Sequence, residues 1–555
     1  MKIVADFETT TDINDCRVWA FAVCEIGNPT YFKYGNSLDD FLTYCETTGN
    51  ATIYFHNLKF DGEFIMIKLF ELGFKHVVDR KELDTKTFTT LISNKGQFYS
   101  MKIVFEKKGK RTKTVTIYDS LKILPFSVKA IAKGFNLPIG KLEINYKEKR
   151  EIGHTLTQHE IDYIQNDVTI VAMALDVLFK QGLDKMTQGS NALYDYKRTI
   201  TQKRFEQWFP IPDYDKDVRR SYRGGFTYLN PKYKGVDVGK GIVLDVNSLY
   251  PSVMHNKPLP YGEGMYFENQ YTQDTLYNLY VQMLTCQFEL KDNHIPTIQL
   301  KNNLAFIPTE YLISSGENDV TMCLTNIDLK LFLEHYNVYN IVYHSGWKFK
   351  STVGLFTEYI DKWTEIKTQS KIEGNKAMYL LSKLMLNALY GKFALNPNVQ
   401  GKIPYYNDGM IKYLEGEKET REPIYIPVGT FVTSYARYKT ITSAQSVFDR
   451  FIYADTDSLH LLGTDIPDNL DIHPTTLGKW SHENTFTKAR FLRQKSYIEE
   501  VDGELEITCA GLPESCYPFV SWDNFHEGAI YSGKLQMKHV KGGIILKDVD
   551  FSIKK

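Results

Sequence analysis

Four times in this 555-residue chain a short apolar run ends in an acid or leads to one within six residues: Lys2–Ala5 before Asp6, Ala51–Phe55 before Asp61, Gly241–Leu244 before Asp245 and Phe451–Ala454 before Asp455. Runs of this length, rich in Ile, Val and Phe, fit strands that are covered on both faces. A carboxylate at the end of such a strand is costly to bury without a partner. The chain is therefore constrained to sheets whose ends carry charge, and function turns on what neutralises it.

Strand and helix patterns alternate through the first ~185 residues, which predicts an α/β unit. Lys2–Phe7, Val18–Glu25 and Ala51–Phe55 read as strands, and residues 62–72 as an amphipathic helix. A hairpin is expected near 97–106 and 112–119, with the basic tip Lys107–Lys113 between its strands. Thr157 and Glu160 stand in capping-box spacing at the head of a helix over 157–180. Ser221–Pro231 reads as a turn-rich junction in which Gly224–Gly225 can take positive φ. Gly241–Val246 is a further strand, residues 257–350 read as an irregular Asn- and Tyr-rich insertion, and 396–427 as a second, turn-rich one. Helices over 355–372 and 375–391 are joined at Gly374–Asn375, with Gly391 as C-cap. A helix over 433–449 leads into a hairpin centred on Ala454–Ser458, and the last ~30 residues form a strand-rich tail.

At roughly 150 residues per domain the length allows three or four domains. Hydrophobic residues make up 43% and charged residues 24%, which excludes a disordered or fibrous chain. No run of 18 apolar residues occurs, so no membrane-spanning helix is expected. The opening MKIVADFETT lacks an apolar signal core, so export is not expected either. The 7 cysteines include no CxxC pair and read as reduced thiols in a cytosol-like compartment. A net charge of −1 removes any bulk electrostatic argument for nucleic acid and leaves only local ones. The 37 Tyr and 33 Phe offer faces for base stacking, and equally for cores.

Asp6 and Glu8 stand at i, i+2 on a strand, so both carboxylates share one face and can converge on a pair of metal ions. Asp61 sits just beyond the strand Thr52–Phe55, and Tyr163 and Asp167 stand at i, i+4 on one helix face. Each of these alone suits a solvated strand end or a core tyrosine. Gathered, the four carboxylates would repel strongly without cations, and metal-dependent phosphodiester hydrolysis supplies both the cations and a use for them. A second set begins with Asp245 at a strand end and continues with Asp455 and Asp457 at a hairpin tip. Between them Lys383, Asn387 and Tyr390 fall on one helical stripe, suited to a triphosphate, a water and a base. Lys495 and Tyr497 follow the basic residues Lys488, Arg490 and Arg493, a pattern that suits a nucleic-acid backbone.

These motifs together resemble the family B DNA polymerases, and most closely the protein-primed branch of bacteriophages (phi-29 type). DFETT, HNLKFDG and YIQND resemble the three motifs of the 3′–5′ exonuclease, and YRGG the junction motif. DVNSLYPS, KLMLNALYGKFALNP, YADTDS and RQKSY resemble the polymerase motifs, so the likeness spans nearly the whole chain in the expected order. It implies an α/β and α+β multidomain fold: an RNase H-like exonuclease domain plus a right-hand polymerase of palm, fingers and thumb, with two inserted modules. The implied exonuclease is 1–188, the palm 189–256 and 426–522, the fingers 354–394 and the thumb 523–555. The modules are 257–353, which contacts the terminal protein in that branch, and 395–425, which encloses DNA for strand displacement and processivity.

By the same resemblance Asp6, Glu8, Asp61 and Asp167 bind the exonuclease metals, Tyr163 orients the attacking water, and Lys141 is an auxiliary lysine whose neighbours Gly140 and Leu142 depart from the family pattern. Thr9, His56, Asn57, Phe60, Ser120, Leu121 and Phe126 hold the single-stranded 3′ end. Asp245, Val246 and Asp457 bind the polymerase metals, with Asp455 beside them. Tyr250 excludes a 2′-hydroxyl, Tyr390 stacks on the nascent pair, and Lys367, Lys383 and Asn387 complete the nucleotide site. Thr433, Arg437, Lys495 and Tyr497 hold the primer, and Tyr222, Gly224 and Gly225 the template. Pro251–Ser252 departs from the protein-primed form without touching the metal ligands. The implied cofactor is Mg2+, two per site, with Mn2+ as an alternative. Implied partners are primer-template DNA, dNTPs, a terminal protein and a single-stranded-DNA-binding protein, for a monomer in the cytoplasm of an infected bacterium. Three rivals use fewer of these residues: a nuclease without synthesis, a non-catalytic DNA-binding protein, and a glycosidase built on paired carboxylates.

Overall fold

The computed structural model describes residues 1–146, 148–272, 274–300 and 310–554. Its N-terminal unit is built on strands β1 (Lys2–Thr9), β2 (Val18–Glu25), β3 (Asn28–Gly35), β4 (Ala51–Phe55), β5 (Lys75–His76), β6 (Thr87–Ile92), β7 (Phe98–Lys108) and β8 (Arg111–Asp119). They form one eight-stranded sheet in the order β3-β2-β1-β4-β8-β7-β6-β5. β1 runs parallel to β4, and β4 to β8, so helices α1 (Leu38–Thr48) and α2 (Leu58–Glu71) serve as crossovers. Period-2 alternation sends Ile3, Ala5 and Phe7 into one core with α1 and α2. It sends Val4 to the other face, where α3 (Val128–Gly134) and α4 (Gln158–Lys180) pack and Tyr163, Val168 and Val171 share its core. Asp6 and Glu8 follow Val4 in the alternation, toward α4. The capping box forms as expected: Thr157 Oγ1 accepts from the Glu160 amide, and Glu160 accepts from the Thr157 amide.

The helix expected from 62 starts earlier, at Leu58, because Asn57 turns the chain in a left-handed conformation (φ 78°). Asp61 therefore lies in a first helical turn rather than in a loop beyond the strand.

Short helices α5 (Gln188–Ile200), α6 (Gln202–Trp208) and α7 (Asp215–Arg219) lead to β9 (Thr227–Leu229), β10 (Asp237–Val238), β11 (Gly241–Val246) and α8 (Leu249–Asn256). Residues 257–350, expected to be irregular, instead hold β12 (Leu259–Glu268), β13 (Leu279–Leu290), β14 (Val320–Thr325) and β15 (Tyr336–Thr352), in the sheet order β12-β15-β13-β14. Helix α9 (Asn326–His335) packs on this sheet, and residues 301–309 of the insertion lie outside the described residues. The polar half of the strand alternation hid the apolar half: Asn337, Tyr339 and Asn340 are exposed on β15, while Leu284, Cys286 and Phe288 of β13 are buried.

Helices α10 (Thr357–Ile372) and α11 (Lys376–Ala388) pair across the expected Gly374–Asn375 turn, where Gly374 has φ 70°. The C-cap expected at Gly391 is not formed; α11 stops at Ala388, and Gly391 lies inside a short helix α12 (Tyr390–Phe393). The segment read as turn-rich, 396–427, is a hairpin of β16 (Asn398–Asn407) and β17 (Met410–Thr420). Its Asp408–Gly409 loop has positive φ at both residues (51° and 78°), the geometry that matches strand twist in a two-residue turn. Helix α13 (Ile426–Ser446) likewise begins before the expected 433, with Pro427 in its first turn, where a missing N–H costs nothing.

Strands β18 (Phe451–Asp455), β19 (Ser458–Leu462), β20 (Trp480–Arg493), β21 (Ser496–Val501) and β22 (Glu504–Cys509) join β9 and β11 in the order β22-β21-β20-β11-β19-β18-β9, with β10 on β20. The chain closes with the hairpin β23 (Ile530–Val540) and β24 (Gly543–Ser552), as the strand-rich tail predicts. Helix α13 is held to α9 and to the junction segment by a buried ion pair. Arg437 donates to both Asp328 oxygens (3.1 and 2.6 Å) and to the carbonyls of Arg223 and Gly224 (2.7 and 2.8 Å). Removing Asp328 leaves a buried guanidinium half-paired, so Asp328→Ala should cost about 3–5 kcal/mol of unfolding free energy, read by urea titration. Replacing the pair by Leu and Met together should cost much less.

Candidate active sites

At the end of β1, Asp6 and Glu8 meet Asp167 of α4, each offering an oxygen within 4.8 Å of the others. Asp61 enters from the first turn of α2. That turn is fixed by Asp119, which is 1% exposed and accepts from the Asn57 and Leu121 amides at 3.0 Å each. Asp61 and Asp167 are 3% exposed, and one carboxylate oxygen of each has no hydrogen-bond partner among the described residues. Burial, then repulsion from Asp6 and Glu8, holds the Asp61 carboxyl well above the usual carboxylate range. Burial and the neighbouring acids do the same to Glu8, and burial with Asp167 to Asp6. Lys141 donates to Asp167 at 2.8 Å; burial alone would lower its pKa, but Asp167 raises it. The Tyr163 hydroxyl bonds that of Tyr146 at 2.6 Å, a partner the sequence did not single out. A cavity of about 240 Å³ opens here, lined also by His56, Asn57 and Phe60 and by Met537 and Leu546 of the terminal hairpin.

Two residues expected to hold a 3′ end are taken up by the fold. Ser120 is fully buried and donates to the Phe55 carbonyl at 3.1 Å. The His56 ring nitrogens contact Ser120 Oγ (2.9 Å) and the Phe126 carbonyl (2.7 Å). His56 therefore presents a ring face rather than a free nitrogen. Thr9, Phe60, Leu121 and Phe126 remain partly exposed around the site.

The second site lies at the end of β11. Asp457 follows Thr456 (φ 59°) in the β18–β19 turn, and the Val246 amide donates to its carbonyl at 2.8 Å. Val246, expected among the metal ligands, thus has only its own carbonyl left to offer. Burial, then Asp457 and Glu483, pushes the Asp245 carboxyl up to about 7, and burial with Asp455 raises Asp457. Glu483 of β20 is a third acid that the sequence reading missed; a lone Glu in an alternating strand gives no signal until β11 is known to pair with β20. Asp455 instead faces Lys495, whose ammonium donates to both its oxygens at 2.8 Å, and it accepts from Thr227 at 3.1 Å and Tyr453 at 3.2 Å. It is a bound neighbour of the pair, not an open member of it.

Around these acids Tyr250 and Tyr390 stack with centroids 4.1 Å apart. A Cβ on Gly225 would meet Thr456 Oγ1 at 2.7 Å and the Tyr250 hydroxyl oxygen at 3.0 Å, so only glycine lets the YRGG segment approach the turn. Lys383 and Asn387 are exposed on α11, while Lys367 on α10 has its pKa lowered by burial and by the Lys383 and Lys371 charges. Three cations held close together on one helix pair suit a polyanion. Tyr497 stacks on Phe491 at 5.1 Å. Tyr222 is half-buried near the pair. Thr433 and Arg437, expected to hold primer, are 1% and 3% exposed. Thr433 donates to helix carbonyls and Arg437 is saturated by Asp328 and the junction carbonyls, so neither is free to reach a strand.

The family model for type B DNA polymerases, organellar and viral, matches residues 45–155 and 142–473. The DNA polymerase of Bacillus phage M2 is 48% identical over 99% of this chain and 99% of its own. That of Bacillus phage phi29 is 48% identical over 99% of this chain and 98% of its own. A solved structure of phi29 DNA polymerase, complexed with primer-template DNA and incoming nucleotide substrates, matches with a TM-score of 0.95 at 46% identity and covers 100% of both chains. The N-terminal sheet is thus the RNase H-like exonuclease fold, and the rest is a right-hand polymerase with two inserted modules. Two acid clusters on separate sheets, in an architecture shared end to end, place this chain in the family B DNA polymerases of the phage phi29 type.

Proposed function

We propose that this DNA polymerase replicates a linear viral genome from a terminal-protein primer, proofreads at its N-terminal acid cluster, and displaces the non-template strand with high processivity. The observation that carries the two-site reading is that both clusters crowd carboxylates, buried at the first and half-buried at the second, without enough side-chain cations. Among the described residues Asp61 and Asp167 each keep an unpartnered buried oxygen, and Asp245 and Asp457 face a further acid, Glu483. Hard divalent cations fit such oxygen donors, which suits Mg2+ or Mn2+, two per site. When bound, they neutralise the acids and stabilise charge on the attacking and leaving oxygens.

The chain's own groups do the rest. At the first site Tyr163, braced by Tyr146, orients the attacking water, and Lys141 holds Asp167 in place. Thr9, Asn57, Phe60, Leu121 and Phe126, with the His56 ring, wall the single-stranded end. At the second site Tyr250 underlies the incoming sugar and clashes with a 2′-hydroxyl, Tyr390 stacks on the new pair, and Lys367, Lys383 and Asn387 hold the triphosphate. Lys495 and Tyr497 hold the primer, and Tyr222, Gly224 and Gly225 contact the template. The exonuclease is 1–188, the palm 189–256 with 426–522, the fingers 354–394 and the thumb 523–555. Module 257–353 receives the terminal protein and 395–425 encloses DNA. The enzyme acts as a monomer beside a single-stranded-DNA-binding protein in the infected bacterial cytoplasm.

Primer extension and 3′ shortening of one labelled primer separate the sites. Asp457→Asn should lower extension by at least ~100-fold and spare shortening; Asp6→Ala with Glu8→Ala should do the reverse. If Asp457→Asn costs nothing, the chain is a nuclease without synthesis. Deleting residues 398–418 should leave nucleotide addition but abolish copying through long duplexes; a deletion variant that still copies them refutes the enclosing role.

The pH dependence follows from Asp245, whose metal-free carboxyl is held up at about 7. Its proton must leave before a cation binds, so below that value the Mg2+ needed for half-maximal extension should rise by up to about tenfold per pH unit. A flat Mg2+ requirement from about pH 8 to about pH 6 would show Asp245 ionised throughout.

A further inference from the structure

Glu63 stands two residues after Asp61 on α2, roughly 200° around the helix, so it faces away from the acid cluster. It is only 2% exposed, and it lies between two different hairpins. Tyr413 of β17 donates its hydroxyl to Oε1, and His539 Nδ1 of β23 lies 3.9 Å from Oε2.

The surroundings show two hairpins seated on one helix. Ile411 of β17 is buried in the core of the N-terminal sheet, and the Tyr413 ring meets Phe98 edge-on at 6.4 Å. The ring of Phe64 occupies the space where a Cβ on Gly543 would sit, only 2.2 Å away, so glycine lets β24 lie against α2. Farther along α2, Phe70 meets Tyr406 at 6.1 Å, and Tyr406 donates to Glu71 at 3.4 Å. The hairpin tips also touch each other: the Gly542 amide donates to the Gly409 carbonyl at 2.9 Å, and Lys541 pairs with Asp408 at 2.8 Å. The contacts close a circuit from α2 through β17, across the tips, and back along β23 to α2. Lys541 and Asp408 have side chains 69% exposed, and an ion pair so open contributes little. The buried anchor of the circuit is Glu63.

We infer that Glu63 is a positioning residue, a latch that holds the hairpins 398–420 and 530–552 on the exonuclease unit and so keeps the ring around DNA closed. The inference rests on the reading that the 395–425 module encloses DNA. A leucine at this position would only pack, whereas Glu63 accepts a directed bond from Tyr413 on one hairpin and has His539 of the other 3.9 Å from its second oxygen. Loss of the carboxylate leaves the Tyr413 hydroxyl buried without its acceptor, a penalty large enough to open the circuit severalfold more often.

The test uses the full chain on a primed single-stranded circle, with excess unlabelled DNA as a trap so that each product reports one binding event. Glu63→Ala should shorten the median product about fivefold, while single-nucleotide addition on a short primer-template and 3′ shortening of a single-stranded oligonucleotide stay within about twofold. Glu63→Gln, which keeps an acceptor for Tyr413, should restore most of the length. Tyr413→Phe, which removes only a hydroxyl, should shorten products as Glu63→Ala does, and it serves if the alanine variant fails to fold. Unchanged product length in Glu63→Ala and Tyr413→Phe overturns the latch, as does a parallel fall in nucleotide addition, which would mark Glu63 as a mere fold support. The 398–418 deletion separates the two levels. If it shortens products and the point variants do not, the latch alone fails; if it too leaves length unchanged, the enclosing reading fails with it.

Discussion

Uncompensated buried negative charge is the constraint on which the rest of this molecule depends. At 4.8 Å two carboxylates repel by about 3–4 kcal/mol at an effective dielectric near 20, before any cost of burial. Other buried acids of the chain show how this is normally relieved. Asp195 receives Lys362 and Trp363 at 2.8 Å, Glu160 receives Arg150 at 2.7 Å and His154 at 2.8 Å, and Asp328 receives Arg437. Against that background the Asp6–Glu8–Asp61–Asp167 and Asp245–Asp457–Glu483 groups stand apart. Among the described residues Lys141 is the one cation bonded to the four acids of the first, and at the second the Lys383 charge opposes the rise at Asp245. Such groups persist because the sheets force them: Asp6 and Glu8 continue the face that Val4 begins, and Asp245 ends a strand paired on both sides.

How much of this was legible in the sequence follows from what each signal requires. Strands with an acid at the end, the Thr157–Glu160 cap and the Gly374 turn are local, and the structure has them where the sequence put them. The 257–350 sheet was lost because its exposed half is Asn and Tyr, so alternation looked like disorder. The β16–β17 hairpin was lost because its turn signal, Asp408–Gly409, sits between strands carrying charges of both signs. Arg437 carries the residue type of a DNA contact and Asp455 that of a metal-site acid, but Asp328 and Lys495 reach them from other elements, which no spacing along the chain reveals. Glu483 and Glu63 were invisible for the same reason. Their partners lie far away in sequence, on β11 for Glu483 and on two distant hairpins for Glu63.

The junction segment shows how the polymerase part is made rigid just where it meets the exonuclease. Arg437 binds the carbonyls of Arg223 and Gly224, the Phe226 carbonyl accepts from the Thr456 amide at 2.6 Å, and Gly225 lies against Thr456 and Tyr250. A buried arginine at this position therefore fixes the conformation of the segment that carries Tyr222 and the two glycines. The residue expected to touch the primer is instead a brace for the residues expected to touch the template.

Charge balance closes the account of how a chain of net charge −1 serves a polyanion. The acids gather in two clusters, the first largely buried and the second half-buried, where side-chain cations are too few to answer them. The cations lie outside: Lys383 stands on an exposed face of α11, and Lys107–Lys113 form the tip of β7–β8. Segregation of this kind leaves the total near zero while separating clustered acids from exposed cations. A summed charge cannot distinguish that arrangement from a neutral scaffold; the geometry of the strand ends can.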